Sequence, residues 1–138
     1  MSRKEGITLT ETLISVVIIS LVLISVLLIF AQTVDLSKRI NYDYTASNLA
    51  KSRIERARAI LGTSGFDALP DLSEADTVID AEGVADATGE YRRTTTVNTT
   101  YGGDPLLTEV YAIVTYKYKT AWKTDSNVSV TTVFVDTD

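Results

Sequence analysis

The chain has 138 residues, a formal net charge of −5 at pH 7, and neither cysteine nor histidine. That charge argues against nucleic acid as a main partner. The missing residue types exclude zinc sites built on Cys and His, cysteine nucleophiles and Ser-His-Asp triads.

The chain opens with a short basic tag, residues 1–6, that carries Arg3 and Lys4. An apolar stretch over residues 7–31 follows, with one acid, Glu11, near its start. Residues 12–31 contain no charge, no Gly and no Pro. As a helix at about 1.5 Å per residue, they match the ~30 Å hydrocarbon thickness of a bilayer. Ser15, Ser20 and Ser25 interrupt the run, but their hydroxyls can return to carbonyls of the preceding turn. The tag places the amino end in the cytoplasm and the rest of the chain across the membrane. A secretory signal peptide fits poorly, because the run exceeds an h-region of about 7–15 residues and no Ala-x-Ala-like site closes it. Glu11 has two readings. Within the hydrocarbon a carboxylate costs about 3 kcal/mol and marks function. In the headgroup layer the cost is small.

Residues 32–61 turn polar while helical periodicity persists. Leu36, Ile40, Tyr44, Ser47, Ala50, Ile54, Ala57 and Leu61 recur every three or four positions and form one amphipathic stripe. Lys38, Arg39, Lys51, Arg53, Arg56 and Arg58 lie mostly off it. No Pro or Gly interrupts residues 7–61, and Gly62 and Gly65 supply a stop. The expectation is one continuous helix, half in lipid and half against a small domain. Tyr42 and Tyr44 fall where the helix leaves the membrane, a common place for tyrosine.

Residues 62–90 read as an irregular acidic loop. They hold Asp67, Asp71, Glu74, Asp76, Asp80, Glu82, Asp86 and Glu90, with no Lys or Arg. Clustered carboxylates are what a calcium ion requires, yet the spacing does not match an EF-hand loop. The plainer reading is a solvated acidic loop; a further reading has it face the helix arginines, in the same subunit or the next. No other cofactor is expected.

Residues 91–138 read as an antiparallel sheet. Residues 91–100 are rich in Thr and Val, and Tyr101-Gly102-Gly103-Asp104-Pro105 makes a turn. Residues 109–122 alternate, with Val110, Ala112, Val114, Tyr116 and Tyr118 on one face. Lys123-Thr124-Asp125-Ser126-Asn127 makes the next turn. Val128, Val130 and Phe134 then share one face of a last strand. The fold class is α+β: a long N-terminal helix packed on a small antiparallel sheet of three to four strands, the fourth drawn from the acidic loop. Three strands on a helix can bury a modest core where an isolated hairpin would not.

The segment Gly6-Ile7-Thr8-Leu9-Thr10-Glu11, after a basic tag and before an apolar run, resembles the prepilin signal of the type IV pilin and pseudopilin superfamily. The resemblance implies cleavage between Gly6 and Ile7 by a membrane prepilin peptidase, and methylation of the new amine on Ile7. Residues 1–6 would be the leader and Glu11 the fifth mature residue. Ile7 stands where the family usually has Phe, and Thr10 where Ile or Leu is frequent. Cleavage would leave an amine four residues before Glu11, on the same helix face. An unpaired buried charge is costly, so a subunit lacking its partner would join an assembly poorly. The resemblance implies that Glu11 meets the amine of an adjacent subunit.

The segment Asn48-Leu49-Ala50-Lys51-Ser52-Arg53-Ile54-Glu55, followed by Phe66-Asp67-Ala68-Leu69-Pro70, is similar to the helix end and turn of minor pilins and minor pseudopilins. The lack of Pro and Gly in the hydrophobic helix points the same way. The implied function is a structural subunit of a type IV pilus or type II secretion pseudopilus. It would be held in the inner membrane by one span, with its C-terminal domain outside, until assembled into a filament. The implied partners are other pilin or pseudopilin subunits, the prepilin peptidase, the inner-membrane assembly platform and membrane lipid. On this reading the protein is a peptidase substrate, not an enzyme. The alternative is an uncleaved, single-pass anchored binding module.

Overall fold

Residues 12–31 can form helix because no Gly, Pro or charge interrupts them, and the helix starts three residues before them and extends well past their C-terminal end. The computed structural model describes residues 8–123 and 127–137. Helix α1 runs Leu9–Ser64. The chain divides into two compact units, Met1–Lys38 and Arg39–Asp138.

In the first unit, Thr8 starts the helix by accepting the Glu11 N–H on both its hydroxyl (3.3 Å) and its carbonyl (3.0 Å). Thr-x-x-Glu is a recurrent helix start, and an acid in the first turn suits the helix dipole. The apolar side chains of residues 13–30 are all exposed. The hydroxyls close on the helix itself: Ser15, Ser20 and Ser25 donate to the carbonyls of Glu11, Val16 and Leu21 at 2.7–2.8 Å. Thr33 does the same to Ile29 at 2.9 Å. The segment therefore presents hydrocarbon outward and no unsatisfied side-chain hydroxyl. It is one helix near the N-terminus long and apolar enough to cross a membrane.

In the second unit, the helix buries Ala46, Leu49, Ala50, Ile54 and Ala57. Three alanines on that face let the helix approach the sheet closely. The expected stripe holds from Ala50 through Ile54 and Ala57 but fails before it. Ile40 and Tyr44 are exposed, and Tyr42, two residues from each and so on the nearly opposite side of the helix, turns inward. The face that meets the sheet is thus rotated from the one the spacing suggests. The helix also outruns the expected stop. Gly62 lies inside it, and the break comes at Gly65, whose φ of +76° suits glycine. A 3₁₀ segment, Phe66–Leu72, follows and buries Leu69 and Leu72.

The strands are β1 Glu74–Ile79, β2 Tyr91–Asn98, β3 Leu107–Tyr118, β4 Ala121–Trp122 and β5 Val128–Val135. All pairings are antiparallel: β1 with β2, β2 with β3, and β3 with both β4 and β5. The expected irregular region thus contributes an edge strand, β1, as the fourth strand. One correction concerns the end of β3. Alternation suggested a strand to Trp122, but the chain reverses at Lys119 and Thr120, both at positive φ (50° and 71°). Ala121 and Trp122 then pair back onto Tyr118 and Lys117. That is the twist a two-residue hairpin needs, made without the usual Asn or Gly. Of the expected 123–127 turn, residues 124–126 lie outside the described residues.

The inward face of β3 is as read, with Val110, Ala112, Val114, Tyr116 and Tyr118 all buried, and it extends to Thr108, ahead of the expected start of the strand. One cluster gathers Ala46, Leu49 and Ala50 with Ile79, Tyr91, Val114, Tyr116 and Tyr118. A second gathers Ile54 and Ala57 with Leu69, Leu72, Val110 and Ala112. Tyr42 is a core aromatic here. It stacks on Tyr116 (5.2 Å between centroids, 10° between planes) and meets Tyr118 edge-on at 6.1 Å. The whole is an α+β arrangement, compatible with a pilin-like architecture.

Candidate functional site

Two places carry chemistry: the start of α1, and a polar cluster between α1 and β2. Glu11 is exposed in the first turn of α1, with its N–H held by Thr8. The residues expected to be processed, Gly6 and Ile7, lie outside the described residues.

The polar cluster begins with strand parity. Tyr91, Arg93, Thr95 and Val97 alternate onto the helix-facing side of β2, so an arginine and a threonine occupy positions where apolar residues would pack. Arg93 is 9% exposed. Its counter-ion is Glu74, the first residue of β1, placed opposite Thr95 beside a register shift between Glu74 and Thr77. Bulges re-aim a strand, and here Asp76 takes a φ of +48° as Glu74 is directed inward. The Glu74 carboxylate accepts from Arg93 Nε and from Thr95 Oγ1 (3.1 Å), and pairs with Arg53 Nη2 at 3.2 Å. Arg53, from α1, also donates to Thr95 Oγ1 (3.2 Å) and to the Leu72 carbonyl (2.7 Å). One carboxylate thus bridges two guanidiniums that are both about 11% exposed at the side chain. Burial is the main force pulling the Arg53 pKa down. Glu74 opposes it, and the Arg93 and Arg56 cations add to it.

A cavity of about 170 Å³ opens beside this cluster, lined by Ser52, Arg53, Arg56, Glu82, Gly83 and Arg93 among others. Its roof is the 80–84 loop. Asp80 Oδ1 accepts the N–H groups of Glu82 (3.0 Å) and Val84 (2.8 Å) and so folds the loop on itself. Gly83, at φ +85°, lies against Leu49 and Arg93.

The acids of the expected loop divide by role. Glu74 meets one helix arginine, Arg53, as the further reading had it, and one on β2, Arg93, which that reading did not include. Asp80 and Asp86 spend oxygens on turn N–H groups, Asp86 accepting from both the backbone and the hydroxyl of Thr88 at 2.8 Å. Those bonds hold the Asp86 carboxyl below the usual range. Among the described residues no group of three or more acids gathers as a metal would require. Glu90 accepts the Tyr42 hydroxyl at 3.0 Å. That bond, then partial burial, raises the Tyr42 pKa, while burial raises that of Tyr91. On the outer face, the Arg92 guanidinium lies 4.2 Å over the Trp122 ring and anchors β4.

Comparison with protein-family models, with curated proteins and with solved structures gave no match. The pilin resemblance therefore rests on the residues that carry it. Sequence reasoning missed the Arg53–Glu74–Arg93 cluster. The available signal was Arg93 itself, a charge at an inward position of a strand whose neighbours Tyr91 and Val97 pack.

Proposed function

We propose that this protein is a structural subunit, a minor pilin or pseudopilin, of a type IV pilus or type II secretion pseudopilus. It is stored in the inner membrane with its amino end in the cytoplasm. Prepilin peptidase cuts between Gly6 and Ile7 and methylates Ile7. The subunit then enters a filament through α1, with the assembly platform and other pilin or pseudopilin subunits as partners. The observation that carries this reading is an apolar helix with no partner of its own, directly after a Gly-Ile-Thr-Leu-Thr-Glu signal. Such a surface needs lipid or other helices around it, and assembly exchanges one for the other.

The mechanism on this reading is packing plus one charge pair. Side chains of residues 13–30 supply the interface. The Glu11 carboxylate, exposed within its own chain, receives the methylated amine of a neighbour and fixes the axial register. A misregistered subunit leaves both charges unpaired in an apolar setting, which is costly.

The test is the intact mass of the protein from host membranes, with and without prepilin peptidase. A product that starts at Ile7 and is one methyl group heavier than the bare chain supports the proposal. A full-length chain in both strains overturns it and leaves the anchored binding module. A cut beyond Ala31 means the apolar run is a signal peptide.

A further inference from the structure

The cavity between α1, β2 and the 80–84 loop holds more positive charge than its own acids neutralise. Arg53 and Arg93 share the single carboxylate of Glu74. Arg56, one turn along α1 and lining the same cavity, has no carboxylate within ion-pair distance among the described residues. Three guanidiniums line the cavity against one lining carboxylate, Glu82; Glu74 is engaged by Arg53 and Arg93, and Asp80 spends Oδ1 on the N–H groups of Glu82 and Val84. The unpaired guanidinium, Arg56, is exposed, and it stands beside Arg53 and Arg93, whose paired side chains are about 11% exposed. A surplus of this kind favours an anion over a cation or a neutral guest, and guanidiniums match planar or tetrahedral oxyanions.

The space is built to stay open. At about 170 Å³ it exceeds tenfold the roughly 10–15 Å³ that one water needs. Gly83 forms its roof, where a Cβ would press to 3.2 Å on Leu49 Cδ2 and 3.4 Å on Arg93 Nη1. The bonds from Glu82 and Val84 to Asp80 hold that roof in place. Ser52 adds a hydroxyl to the lining.

We propose that this cavity is an oxyanion site, taking a carboxylate or a phosphate group against Arg56, Arg53 and Arg93. The guest completes the neutralisation that Glu74 begins, and Glu82 limits its affinity by like charge. The inference does not depend on the filament reading, because it uses only residues of the second unit.

The test uses the full chain in detergent micelles at constant ionic strength. Inorganic phosphate and acetate are titrated calorimetrically against a chloride background, and self-association is followed by sedimentation. Arg56→Gln should weaken phosphate binding about tenfold or more, since a charged hydrogen-bond partner is lost. Glu82→Gln should tighten it. Arg56 and Glu82 are exposed, so both variants should keep the wild-type urea midpoint. Saturable binding with unchanged sedimentation assigns the guest as a free small oxyanion. If phosphate and Arg56→Gln both dissociate self-associated chains, the guest is a carboxylate of a second copy. The proposal is overturned if phosphate gives no saturable heat and Arg56→Gln leaves self-association unchanged. It is equally overturned if wild type and Arg56→Gln bind phosphate alike.

Discussion

Replacing Glu74 by Gln tests whether the arginine cluster holds α1 to the sheet. The change keeps the shape and removes the one negative charge between Arg53 and Arg93. At 3.2 Å and an effective dielectric near 20, the Arg53 pair alone carries about 5 kcal/mol of gross attraction. Desolvation offsets most of that while the pair is intact. Removing one partner leaves the cost of the buried charge, typically about 3–5 kcal/mol. The side chains are only 11% and 17% exposed, so solvent screening reduces this little. Gln retains an acceptor for Thr95, which places the expected loss near 3 kcal/mol, at the lower end of that range. For a unit of about 100 residues that lowers Tm by roughly 12–24 °C. The assay is thermal and urea unfolding of the full chain in detergent micelles, followed by Trp122 fluorescence. The control is Glu55→Gln, which breaks the Glu55–Arg58 pair. Its contact is short (2.6 Å), but its side chains are more than half exposed, so its loss should be about 0.5 kcal/mol or less. If the two variants cost the same, or Glu74→Gln costs under about 1 kcal/mol, burial is not what gives the cluster its weight.

Three further outcomes are expected. Gly89→Ala places a Cβ against the carbonyl of Ile79. The 86–90 turn must shift, and urea unfolding should show a loss of about 1–3 kcal/mol. Tyr42 and Tyr91 have pKa values raised above the ordinary tyrosine value of about 10. Folding therefore favours their protonated forms, and that stability is present below pH 10 and lost as pH rises through the folded values. Ultraviolet titration should show late-titrating tyrosines, one fewer of them in Tyr42→Phe. Under the filament proposal, Glu11→Gln leaves an amine without its partner. Peptidase processing read by intact mass should be unchanged, while incorporation into filaments read by immunoblot of sheared surface material should fall about tenfold or more. Normal incorporation would remove Glu11 from the assembly mechanism.

The parts of the fold legible in sequence are those where one side chain decides its own environment. Alternation of Val110, Ala112, Val114 and Tyr116 places one face of β3 inward whatever lies opposite, because successive residues of a strand point to opposite faces. Helical spacing located α1 and the part of its buried face from Ala50 through Ile54 to Ala57, but not the part before Ala50. Leu36, Ile40 and Tyr44 repeat as regularly as Ala50, Ile54 and Ala57 but are exposed, while the contact before Ala50 uses Tyr42, Ala46 and Leu49. The choice belongs to the sheet, whose Tyr91, Tyr116 and Tyr118 fill the space and admit Tyr42 as a fourth ring.

The apolar span, the basic tag, the Gly6-to-Glu11 segment that resembles a prepilin signal and the position of Glu11 within it are properties of consecutive residues, so the chain alone sets them. The arginine cluster is of another kind. Arg53, Glu74 and Arg93 are about twenty residues apart in sequence, and only Arg93, at an inward strand position, departs from the pattern of an ordinary surface charge. They meet because a bulge turns Glu74 inward opposite Thr95 while strand parity aims Arg93 at the helix. Electrostatics in a partly buried site depends on distance and solvent access, and neither exists until α1, β1 and β2 have come together.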